Sequence, residues 1–73
     1  MNEPITNIIR GAVRREGLTD KGFAEEIGMP YQTLQKRYRD PGNWRLYEWS
    51  SVLQSIPFTD DELNLLRKEV TNL

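Results

Sequence analysis

Leu18–Tyr38, LTDKGFAEEIGMPYQTLQKRY, is the stretch that decides how this chain folds. Read with period 3.6, it divides into two short helices broken at Gly28. Phe23, Ala24 and Ile27 gather on one face of the first, at i, i+1 and i+4. Leu34 and Tyr38, four apart, share a face of the second. Ala24 is small where two helices have to cross closely. Gly28 supplies the left-handed backbone conformation that ends one helix and redirects the chain. Thr19 is the expected N-cap of a helix over 20–27. The second helix is expected over 31–39, after Pro30, which has no side-chain oxygen to cap it. The turn is three or four residues long, the length that joins the helices of a helix-turn-helix.

Outward from this stretch the pattern stays helical. Ile5, Ile8, Ile9, Ala12 and Val13 recur at i, i+3, i+4, i+7 and i+8, which predicts an amphipathic helix from about Pro4 to Gly17. Asp40-Pro41-Gly42-Asn43 is a loop signal. A fourth helix is expected over 46–55, stopped by Pro57, with Leu46, Trp49, Val52, Leu53 and Ile56 facing inward. Trp44 and Trp49 read as core aromatics rather than base-stacking platforms. Thr59-Asp60-Asp61-Glu62 is a capping box, and it opens a fifth helix over about 60–72. There Leu63, Leu66 and Val70 are expected to cover the core, leaving Leu65 and Leu73 as candidates for an exposed apolar patch. No segment alternates like a strand. The predicted fold class is all-α, five helices in one domain over 1–73.

Composition limits the chemistry. The chain has 73 residues, no cysteine and no histidine. That leaves no disulfide, no thiolate metal site and neither of the commonest general-base and metal-ligand groups. The acidic pairs at Glu25-Glu26 and Asp60-Asp61-Glu62 have no nucleophile or glycine-rich loop beside them, so an enzyme is not expected, nor a cofactor. No apolar run approaches a membrane span and no signal-peptide pattern opens the chain, which leads us to expect a soluble, cytoplasmic protein.

The formal net charge is −1, but it is unevenly spread. Residues 29–45 hold Lys36, Arg37, Arg39 and Arg45 against Asp40, and residues 1–15 hold three arginines against one glutamate. The acids concentrate in 16–28 and 46–73. Such a polarised domain can dock one face on phosphates while its remainder is acidic. With Leu34 and Tyr38 in the core, the opposite face of the 31–39 helix presents Gln32, Gln35, Lys36 and Arg39, with Tyr31 and Thr33 at its start. Glutamine pairs bidentately with adenine, and lysine donates to guanine acceptors. Arg37, Arg39 and Arg45 are candidates for phosphate contacts, joined by Thr19 and by Arg10 on the first helix. For Arg37 a second reading stands equally: its stem packs and its head pairs with an acid or a loop carbonyl.

Phe23-Ala24, Ile27-Gly28 and Gln32-Thr33-Leu34, spaced as they are, resemble the repressor and Cro family of phage helix-turn-helix proteins. Thr33-Leu34-x-x-Arg37, with Pro41, Trp44, Leu46 and Glu48, looks like a subgroup carried by phages and prophages of Gram-positive bacteria. The resemblance spans about residues 5–57. It implies a five-helix, lambda-repressor-like bundle with a helix-turn-helix over about 19–39. The function it implies is transcription regulation by sequence-specific binding of double-stranded DNA in the bacterial host's nucleoid. It places Tyr31, Gln32 and Lys36 at base-contacting positions, flanked by Thr33 and Gln35. It also implies a homodimer, formed in solution or on DNA, on a pseudo-palindromic operator. Two positions depart from the family pattern. Asp20 stands where the family often has a phosphate-touching glutamine, and Arg37 stands where many members have an apolar residue, so Tyr38 is expected to take over that packing. The acidic balance and Asp20 suit an alternative, a small protein-binding adaptor that keeps the helix-turn-helix fold without strong DNA binding.

Overall fold

The computed structural model describes residues 3–72, and the side chain of Glu3 and all of Leu73 fall outside that description. Among the described residues the chain is all-helical. The elements are α1 (Glu3–Arg15), α2 (Asp20–Glu26), α3 (Tyr31–Arg39), a 3-10 turn (Pro41–Asn43), α4 (Leu46–Ser55) and α5 (Asp60–Thr71). The expected bounds of α3 and α4 are met to the residue, and α2 ends one residue early because Ile27 becomes its C-cap. No helix among the described residues is long and apolar enough to cross a membrane.

α1 is the central element and packs against α2, α3 and α5. Its stripe goes inward as expected: Ile5, Ile9, Ala12 and Val13 are buried and Ile8 is partly so. Phe23 and Ala24 of α2, Leu34 of α3, Val52 and Ile56 of α4 and Leu66 of α5 complete the core with Trp44. The Trp44 and Trp49 rings lie 5.2 Å apart, centre to centre, at a tilt of 37°. Thr6 donates from its hydroxyl to the carbonyl of Tyr38 at 2.6 Å, fixing the end of α3 to α1. At the other end of α1, Arg15 bonds Glu62 and the carbonyl of Pro57 at 3.1 Å, fastening it to the α4–α5 corner. Glu62 also closes the capping box, accepting from the Thr59 amide at 2.8 Å.

The corners on either side of α2 are built the same way. Gly17 and Gly28 have φ of 76° and 67°. At each, the glycine amide and the next one reach back to the helix: Gly17 to Arg14 and Leu18 to Val13, then Gly28 to Glu25 and Met29 to Ala24. This pair of bonds satisfies the last carbonyls of a helix and needs a left-handed residue. Gly28→Ala meets no clash, since nothing lies within 4 Å of the new methyl. Its cost is therefore the backbone penalty alone, about 1–2 kcal/mol. Thermal melting checks this value, and an unchanged midpoint would mean the turn is not left-handed.

Two expectations about α4 and α5 are corrected. Leu46 and Leu53 face outward, 88% and 46% exposed, and Trp49 is only partly buried. The inward face of α4 is instead Glu48, Val52 and Ile56, spaced four apart. Glu48 turns inward because Arg37 of α3 meets it there, Nε to Oε1 at 2.8 Å. On α5 only Leu66 is buried, while Leu63 and Val70 are 40% and 41% exposed. An open apolar groove of about 220 Å³ consequently runs between α4 and α5. Leu65 is exposed as expected, and Leu73 lies outside the described residues.

Candidate nucleic-acid interface

α3 owes its orientation to three inward contacts. Leu34 is fully buried, Tyr38 leans on α1, and Arg37 turns toward α4. Helical geometry then sends Gln32, Gln35, Lys36 and Arg39 to the opposite side, and all four are exposed. None of their side chains makes a hydrogen bond or ion pair among the described residues. They form one polar, cationic surface with its donors and acceptors uncommitted.

The flanks of that surface differ. Tyr31 and Gln35 border a cavity of about 250 Å³ shared with Arg10, Asp20, Tyr38 and Arg39. Thr33 borders one of about 330 Å³ on the α4 side, with the turn residues Met29 and Pro30 and with Arg45. Tyr31 and Thr33 are both half-buried, so they edge the surface and do not stand on it. The N-terminus of α3 has no side-chain cap, as Pro30 implied.

Each candidate phosphate contact has a definite place. Arg39 and Arg45 are exposed, and the backbone amide of Arg45 donates to Glu48 at 2.8 Å while its guanidinium stays outside the pair. Thr19 caps α2: its oxygen accepts the Gly22 amide at 3.0 Å, and its own hydroxyl proton remains available. Arg10 reaches Asp20 at 3.3 Å and lies over the Tyr38 ring, 5.7 Å from the ring centre. Asp20 therefore does not stand as an isolated anion, because its charge is balanced by Arg10. Among the described residues, the Tyr38 hydroxyl and Arg10 Nε are buried without a hydrogen-bond partner. Burial, followed by the nearby Asp20 charge, pushes the Tyr38 hydroxyl well above its ordinary value, so it stays protonated.

Arg37 is engaged within the fold. Its guanidinium grips Glu48 with two bonds, 2.8 Å and 3.1 Å, and its side chain is only 15% exposed. Of its two readings from sequence, the structural one describes the geometry. The Glu48 carboxyl is held below the usual carboxylate range by this bond and, against the opposing effect of burial, by the Arg45 amide. Reasoning from sequence placed Glu48 in the family pattern but did not name it as the partner of Arg37; its being the one charged residue of α4 was the available signal. Comparison with protein-family models, with curated proteins and with solved structures gives no match to this chain.

Proposed function

We propose that this chain is a sequence-specific double-stranded DNA-binding protein, a transcriptional regulator of the Cro and repressor type. In this reading α2 and α3 are a helix-turn-helix and α3 enters the major groove. One observation carries it: the outward face of α3 is built of Gln32, Gln35, Lys36 and Arg39, exposed and unengaged among the described residues. Residues of these types pair with base edges and phosphates. The Arg10–Asp20 pair adds support, since it balances the α2 acid that borders a cavity with Gln35 and Arg39. Gln32 and Lys36 read bases, with Tyr31, Thr33 and Gln35 at the edges. Arg39 and Arg45 hold phosphates, with Thr19 and Arg10 behind them. One α3 spans few base pairs, so two copies read a pseudo-palindromic site with half-sites about 10–10.5 base pairs apart. Such a regulator works on the nucleoid, in the cytoplasm of a bacterial host.

Selection from a random duplex pool is the direct test, followed by two substitutions. Gln32→Ala should cost about 1–3 kcal/mol and relax the preference at one base pair. Arg39→Ala should weaken all sequences alike and lower the salt slope by about 1. If the pool yields no enriched site, and what binding there is shows no salt dependence, the DNA reading fails. The exposed apolar groove would then favour a protein-binding adaptor.

A further inference from the structure

We infer that Arg37 and Glu48 are positioning residues, whose bond sets the distance and angle between the exposed face of α3 and Arg45 at the start of α4. The consequence for DNA rests on the reading proposed above; the internal geometry does not.

α3 lies directly on α1 and α2, and its end is fixed to α1 through Thr6. Toward α4 the support is of another kind. A cavity of about 330 Å³ lies there, walled by Thr33 and Arg37 from α3 and by Tyr47, Glu48 and Ser51 from α4. Among the described residues, the hydrogen bonds that join α3 to α4 are the two that Arg37 donates to Glu48, at 2.8 Å and 3.1 Å. The same carboxylate accepts the backbone amide of Arg45 at 2.8 Å. One buried acid therefore holds both the helix that carries Gln32 and Lys36 and the stretch of backbone that carries Arg45.

Stability alone does not call for ions at this place, because an apolar replacement of a whole buried pair is often neutral or better. What an apolar pair lacks is direction. A guanidinium fork on a carboxylate fixes two N–H···O lines at once, whereas a methionine against a leucine can slide. Direction matters when Lys36 must meet a base edge while Arg45 meets a phosphate of the same duplex. A site loose by about 1 Å loses that match. Arg37 and Glu48 thus act on DNA through Lys36 and Arg45, with no contact of their own.

The test variant is Arg37→Met with Glu48→Leu, which leaves the net charge unchanged. Its first readout contains no DNA. The chain has no cysteine, so a pair of spin labels can be placed at Lys36→Cys and Leu46→Cys, both exposed. The distance distribution between them should be narrow with Arg37 and Glu48 in place and should broaden or shift without them. Glu48→Gln offers one carbonyl oxygen to three donors and should broaden it to a lesser degree. The second readout uses the unlabelled chain. The double variant should lose about tenfold or more of its preference for the selected duplex over a scrambled one. The loss should fall on the selected duplex, since on a scrambled one each cation finds a phosphate without having to match a base as well. Arg37→Lys keeps the charge but not the fork, and its preference should fall between the two. A label distance unchanged in the folded double variant would overturn the proposal, and so would selection of the same site with undiminished preference. A pool from which the unmodified chain enriches nothing would refute the DNA reading alone, and the label distances would then decide the positioning role.

Discussion

Glu48→Ala should cost about 3–5 kcal/mol and remove the cooperative melting transition. The carboxylate is 5% exposed and accepts both guanidinium bonds of Arg37 and the amide of Arg45. Taking it away leaves a largely buried cation and an N–H without their acceptor, at the wall of the cavity between α3 and α4. Uncompensated buried charge is among the few changes that can consume most of a small domain's stability. Removing both charges should be far milder. Arg37→Met with Glu48→Leu should melt close to the unmodified protein, since apolar replacement of a whole buried pair is often neutral or better. The pair also gives the stability a direction in pH. Arg37 holds the folded-state pKa of Glu48 below its unfolded value, so this contribution is complete above the unfolded value and lost as pH falls through the folded one. Glu62 is lowered in the same way by Arg15, but at the surface, and contributes less. Glu48→Gln should therefore flatten the acid limb of the stability profile without abolishing it. Circular dichroism melts at several pH values check all three variants, and a Glu48→Ala midpoint within a degree or two of the original would show that the pair is not closed.

Phe23→Ala should cost a similar amount, about 3–5 kcal/mol, for a different reason. Phe23 is fully buried and the largest such side chain, so truncation leaves a cavity in the core. Leu46→Ala, at 88% exposure, should stay within about 0.5 kcal/mol of the original. Trp49→Ala should fall between them, because Trp49 packs on the core from a partly exposed position. Denaturant titration ranks the three. A Leu46→Ala loss as large as that of Phe23→Ala would mean that α4 is rotated toward the face expected from its hydrophobic pattern.

That rotation marks where the sequence stopped being legible. α1 carries one apolar stripe, so its buried face follows from spacing alone. α3 is bounded by Pro30 and by Asp40-Pro41, and its ends follow from local chemistry. α4 carries apolar residues around more than half its circumference, and several rotations bury a comparable set. The one realised depends on a polar residue, Glu48, finding Arg37 eleven positions earlier in the chain. No helical period connects those two. The same gap hid the cost to α5: once α4 turns Leu53 outward, Leu63 and Val70 lose the wall they were expected to cover. On the α3 surface the outcome was the opposite. Which residues point outward follows from Leu34 and Tyr38 alone, whereas the disposition of Arg37, Arg10 and Asp20 depends on neighbours from other helices.

The packing of α5 on α1 has a consequence for synthesis on the ribosome. Of these helices, the first to emerge is covered by the last. Residues through α4 can assemble their turns as they appear, yet one side of α1 stays open until α5 has cleared the exit. A message truncated in the α4–α5 corner would release a product with the α5-facing side of α1 uncovered and Arg15 without Glu62. Exposed apolar surface of that kind is what proteases and chaperones recognise. The arrangement thus leaves α1 incompletely covered until synthesis has passed α5.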